Sequence, residues 1–212
     1  MLDLQPPALD PTRGVRLLRS VYRPDFRSRN AEIQNRDSWK FERRQHFEEQ
    51  NDPSRDALTR GDWNEALRLL EEERDDIRQA VRADAGRGSV FHRVRIVEEP
   101  LTPYVQWELH ALRIQAECGR RIRVVRAERV SPLESGGPLP EVVVLGGATL
   151  YDIAYTDEGV PDGATRYEDP DVVQGWEAFI ARLYADGEDV RSYVERSVAH
   201  LPPPQLSMGA GD

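Results

Sequence analysis

The sequence predicts an α+β domain, with a mostly antiparallel sheet of about five or six strands and helices packed on one face. Three observations carry this prediction. Residues 142–167 hold short apolar alternations separated by Gly146-Gly147 and by a turn at Asp157–Gly159, the pattern of a β-meander. Two earlier stretches, 90–98 and 121–126, alternate in the same way, with arginines at every second place. Between and after them lie segments with helical periodicity and clear capping residues.

The elements follow in order. Residues 1–12 are Pro-rich and read as an extended arm too polar to join a core. Arg13 to Asn35 is Arg-rich and reads as two helical pieces broken before Pro24, because the residue ahead of a proline avoids helical geometry. The spacing of Val15, Leu18, Tyr22 and Phe26 predicts one apolar face, docking through Leu18 and Phe26. Trp39, Phe41, Arg43, Gln45 and Phe47 alternate with polar neighbours as in a half-buried strand. Asp52-Pro53 caps a short helix. Asp62 with Glu65 forms a capping box for one long helix over 62–84, whose acidic face holds Glu71, Glu72, Glu73, Asp75 and Asp76. Thr102 caps, and Pro103 opens, a helix that runs to Cys118 before Gly119. Asp169-Pro170 starts another, and Gly187 separates it from a last helix ending before Pro202. The divisions expected are a basic arm with helices over 1–36, one domain over 37–200, and a disordered Pro/Gly tail over 201–212.

Composition narrows the function classes. The 212 residues carry 29 basic and 38 acidic groups, net −9. All but one of the basic residues are arginine, the exception being Lys40. The charge is uneven: residues 11–44 hold 10 basic and 4 acidic groups, and residues 131–212 hold 4 and 15. Such a basic segment could serve an acidic partner or nucleic acid. The alternative is that it folds against the acidic C-terminal third, and the net negative charge disfavours nucleic acid. A single cysteine, Cys118, excludes an intramolecular disulfide. No apolar run is long enough for a membrane helix, and the start lacks a signal peptide, so a cytoplasmic protein without membrane attachment is expected.

Most chemical motifs are missing. The sequence has no Gly-rich phosphate loop, nucleophile elbow or zinc-binding His pair. Gly146-Gly147 joins two strands and reads as a hairpin turn. His46, His92, His110 and His200 are too far apart for metal spacing, so no metal and no cofactor are expected, and no catalytic residue is assigned. The helix over 102–118 departs from pattern. It is apolar around a wide arc, yet Glu108 and Gln115 break that arc. A carboxylate inside a packed helix must be paired or protonated. Arg93 and Arg95 before the helix, and Arg121 and Arg123 after it, supply partners. Glu108 is thus either half of a buried ion pair or part of a polar pocket with Arg93, Arg95, Tyr104, Trp107 and Arg121.

The stretch from Arg93 to Leu109, RVRIVEEPLTPYVQWEL, resembles the core motif of an actinobacterial family known as domain of unknown function 6879. Trp39-Lys40-Phe41-Glu42, Tyr151-Asp152 and Asp169-Pro170 are also similar to that family. Its members are often encoded beside small helix-turn-helix regulators, so the resemblance implies a regulatory or partner-binding role, with a protein partner or a second copy of the chain. The alternatives carried by the residues are a small-molecule binder or enzyme using a Glu108/Arg pocket, and nucleic-acid binding through the basic N-terminus.

Overall fold

The computed structural model describes residues 5–205. Its elements in chain order are β1 (Val15–Leu17), α1 (Arg19–Glu32), β2 (Ser38–Glu42), α2 (Pro53–Thr59), α3 (Trp63–Glu72), α4 (Arg74–Gly86), β3 (Phe91–Val97), α5 (Pro103–Glu117), β4 (Arg121–Arg126), β5 (Glu141–Leu145), β6 (Thr149–Tyr155), β7 (Pro161–Tyr167), α6 (Pro170–Asp186), β8 (Glu188–Asp189) and α7 (Val190–Ser197).

The α+β class holds, but the sheet is larger and mixed. Eight strands run in the order β1-β7-β6-β5-β2-β3-β4-β8. β2 pairs with β3, and β3 with β4, in parallel, and every other pairing is antiparallel. The parallel centre follows from chain connections: β2 reaches β3 through α2, α3 and α4, and β3 reaches β4 through α5, as parallel neighbours require a crossover. β1 and β8, absent from the sequence reading, are edge strands of three and two residues. Gly163, at φ +101°, lets β1 lie close against β7, because a Cβ there would collide with the Leu17 carbonyl.

Helices cover both faces, not one. On one face α6 buries Val173, Trp176, Phe179 and Ile180 against Phe41, Val94, Val142 and Val144. On the other, α5, α7, α2 and α3 pack around Trp107, Leu109 and Leu112 at the β3–β4 end. At the β6–β7 end of that same face lies α1, whose Tyr22 and Phe26 rings meet Tyr151 at 5.3 and 5.8 Å. The capping residues act as read. Thr102 Oγ1 accepts from Val105 N at 3.1 Å, Asp52 Oδ1 from Arg55 N at 2.9 Å, and Asp62 Oδ1 from Glu65 N at 3.1 Å. No helix among the described residues is long and apolar enough to cross a membrane.

Three expectations are corrected. The helix over 62–84 is two helices that meet at Glu73. Glu71 and Asp75, and Glu72 and Asp76, are like charges at i,i+4 spacing, which weakens a continuous helix there. Pro24 does not break α1. The helix runs through it, anchored by Tyr22 and Phe26 and by Asp25, which accepts from Tyr151 Oη at 2.6 Å and Arg166 Nη1 at 2.8 Å. Leu18 is not a docking residue; it caps α1 and is 65% exposed.

The termini also take part. Trp176 Nε1 donates to the Pro7 carbonyl at 3.0 Å, and Leu9 packs against the α6 core. The arm therefore docks on α6, contrary to the expectation. At the other end Leu201 packs against the α5–α7 core and Gln106 Nε2 donates to Pro202 O at 2.8 Å, while residues 206–212 of the expected tail lie outside the described residues. Deleting residues 1–10 removes the Trp176 partner and the Leu9 contact, so we expect a loss of about 2 kcal/mol, measured as a Tm lowered by about 4–8 °C. An unchanged melt would show that the arm contributes nothing.

Candidate functional site

Charged residues at the centre of the sheet define the site. Lys40 and Glu42 of β2 stand in register with Arg93 and Arg95 of β3, and all four point to the α5 face, since the alternate residues Phe41 and Val94 face α6. Central strands rarely carry such groups, because each must be paired or solvated. Here Arg95 is wholly buried, and Glu42, Glu141 and Glu108 are 3, 4 and 7% exposed.

Arg95 is held from several sides. Its Nε donates to Glu108 Oε2 at 2.7 Å, its Nη1 to Ile96 O at 3.0 Å, and its guanidinium lies 5.7 Å from the Phe47 ring centre. The ion pair anticipated for Glu108 is thus present. Next to it Glu42 pairs with Lys40 through Oε1, and Arg93 Nε lies 3.4 Å from Glu42 Oε2. That second oxygen has no hydrogen-bond partner among the described residues. Glu141 Oε1 accepts from the backbone N–H groups of Arg43 at 2.9 Å and Arg44 at 2.6 Å.

The carboxyl groups are driven apart in acidity. Burial opposes ionisation of Glu42, but Arg93, Lys40 and Arg95 outweigh it and hold the group below the ordinary carboxylate range. Burial raises Glu108 against the pull of Arg95. Burial pushes Glu141 up to about 7, with the Glu42 charge adding to it and the backbone donors opposing.

This cluster floors a cleft on the α5 face. An outer chamber of about 860 Å³ lies between α1 and α4, with Tyr22, Phe26, Ile77, Phe91, Ile122 and Val143 as apolar lining and Lys40 and Arg93 on its floor. An inner chamber of about 290 Å³ shares Lys40, Arg93, Glu73 and Gln115 with it and reaches Glu42, Tyr104, Trp107 and Glu108. Tyr104 Oη donates to Glu49 Oε1 at 2.9 Å and Trp107 Nε1 to Ser54 Oγ at 2.8 Å, which fixes both rings as walls.

Of the residues predicted for a pocket, Arg93, Tyr104, Trp107 and Glu108 line the inner chamber, and Arg95 lies behind it as the partner of Glu108. Arg121 does not join them. Ile122 and Val124 take the α5 face of β4, so Arg121 points the other way, in register with His92, whose ring stacks on Trp39 at 4.1 Å. Lys40, Glu42, Glu73 and Glu141 were not anticipated. The signal available for the first two was the matching alternation of charges in two strands, Lys40/Glu42 and Arg93/Arg95.

The motif residues of the cleft fall within one stretch of the chain that a family model matches. The family model for a domain of unknown function, DUF6879, matches residues 24–195. The chain belongs to this family. No curated protein matches it. The DUF6879 match takes in β2, β3 and α5, and so every charged residue of the cluster.

Two outcomes follow. Glu108→Ala leaves Arg95 buried without its carboxylate and is expected to cost about 3–5 kcal/mol, read from denaturant unfolding. A loss below about 1 kcal/mol would show that the pair contributes little. Glu141 has its folded pKa raised to about 7, above the unfolded value, so the folded state holds the extra proton and its stability falls as pH rises from about 4.5 through about 7. Glu141→Gln keeps an accepting oxygen for Arg43 and Arg44 and cannot ionise. It is expected to gain stability relative to the parent across that window, and parallel pH profiles would refute the assignment.

Proposed function

We propose that this protein binds a small organic anion in the cleft between α1 and α4, in a regulatory rather than a structural role. One observation carries the reading. Lys40 and Arg93 both contact the single carboxylate of Glu42, while Arg95 is matched by Glu108, so the cleft floor presents two cations to one carboxylate in direct contact with them. A carboxylate or phosphate group placed there gains charge-assisted hydrogen bonds from two cations in a shielded site. The chamber volume, about 860 Å³, suits a small molecule, and the apolar lining takes the body of such a ligand.

The regulatory part rests on the family resemblance and on position. The ligand would bridge α1 and α4, two helices on opposite sides of the cleft, and so could report its presence through their separation. A second reading, a protein partner, is favoured by Val15, Leu18 and Val21. These residues are 50, 65 and 51% exposed beside the outer edge of β1, and an open strand edge is a ready pairing surface. A nucleic-acid surface would have to be built without Arg13, Arg16 and Arg29, which are engaged by Asp169, Asp162 and Glu168.

A thermal-shift screen of carboxylates and phosphates, followed by calorimetry on the best of them, tests the anion site. Arg93→Gln is expected to weaken that ligand about tenfold or more while leaving the fold intact, since Arg93 is a second partner to Glu42 and not its only one. Unchanged affinity would remove the anion from this floor.

A further inference from the structure

The inner chamber holds more negative charge than an anion site should. Glu49, Asp52 and Glu73 line it together with Glu42 and Glu108, against Lys40 and Arg93. Acidic side chains alone do not make a site, since most simply face water. Two observations set these apart. Glu42, which lines this chamber, has its Oε2 buried without a hydrogen bond, although burial normally demands one. Glu108 gives Oε2 to Arg95, and its Oε1, which is not fully buried, accepts no hydrogen bond among the described residues. Both carboxylates line one small cavity with an oxygen that no protein donor meets.

Glu73 adds to this. It stands at the kink between α3 and α4, forms no ion pair among the described residues, and has Asp52 and Asp76 as charged neighbours. An anion alone would leave these acids facing it, and a cation alone would leave Lys40 and Arg93 with only the carboxylate of Glu42 between them. A divalent metal fits poorly, because no group of three or more His, Cys, Asp or Glu among the described residues is placed to hold one.

We infer that the ligand is a small zwitterion of the amino-acid class, with its carboxylate on Lys40 and Arg93, its ammonium group in the acidic inner chamber and its side chain in the apolar outer chamber. This rests on the anion reading above and extends it. The ammonium supplies the donors that Glu42 and Glu108 lack, and the Tyr104 and Trp107 rings suit a cation beside them. The inner chamber, about 290 Å³, has room for the charged head alone. The outer one, walled by Tyr22, Phe26 and Phe91, selects a large apolar side chain.

The test is calorimetry of the full-length protein with leucine, phenylalanine and tryptophan, each also as its N-acetyl and its amide derivative. The free amino acids are expected to bind at least tenfold more tightly than either derivative. Glu73→Gln, at an exposed position without an ion-pair partner, is expected to fold as the parent and to lose about tenfold in affinity for the free amino acids only. Arg93→Gln should weaken them as well. N-acetyl derivatives that bind as tightly as the free forms, still dependent on Arg93, would overturn the zwitterion and leave the anion site standing. Amides that bind as tightly would overturn both. Absence of binding by all three amino acids at millimolar concentration would overturn the zwitterion, whereas the anion site would then stand or fall with the other carboxylates and phosphates.

Discussion

A guanidinium without solvent exposure sits at the middle of an eight-stranded sheet, and the arrangement around it sets the rest of the structure. Arg95 must replace its lost hydration, and moving such an ion out of water costs several kcal/mol before any partner is found. Its partners come from three separate pieces of chain: Glu108 on α5, the Ile96 carbonyl on its own strand, and the ring of Phe47 in the segment after β2. The requirement therefore fixes how α5 lies on β3 and how residues 43–52 fold over both. The pair adds little net stability for the same reason that it is costly to break. Its value is in specifying one arrangement, since a shift of α5 by one residue would leave a buried ion unmatched.

The same logic, weakened by water, joins the two ends of the chain. Arg13, Arg16 and Arg29 reach Asp169, Asp162 and Glu168. Part of the basic N-terminal segment is thereby matched to acids of the C-terminal third. Exposed pairs contribute about 0–1 kcal/mol each, so apolar contacts carry most of this joint. Those are Leu9 on α6, Leu17 in the β1–β7 pair, and Tyr22 and Phe26 on Tyr151.

What could be read in the sequence was what local chemistry encodes. The caps at Asp52, Asp62, Thr102 and Asp169, the Gly146-Gly147 hairpin and the buried status of Glu108 all follow from a few neighbouring residues. The cleft does not, because alternation shows that a strand has two faces but not what covers each. Lys40 and Glu42 have the pattern of a solvated strand face, and only the placement of α5 and α4 makes that face a floor. Arg121 fails for the matching reason: its parity in β4 is plain, but which parity meets α5 is decided by the pairing with β3. β1 and β8 are too short to carry a pattern of their own. The succession of strand, helix, strand, helix and strand over 38–126 does encode parallel pairing, but the meander after it gives clearer signals of the opposite kind.

The pairing of β1 with β7 has a consequence for biosynthesis. Val15 meets Arg166, and Gly163 receives the backbone of Leu17. β1 therefore waits for a partner made about 150 residues later. At roughly 5–20 residues per second, that delay is on the order of ten seconds. Through this interval Arg13, Arg16 and Arg29 lack the acids they pair with in the finished fold, Asp169, Asp162 and Glu168. The central strands β2, β3 and β4, which need only each other and their crossovers, can assemble meanwhile. β1 thus joins the sheet after its centre can have formed, as a clasp over strands already paired.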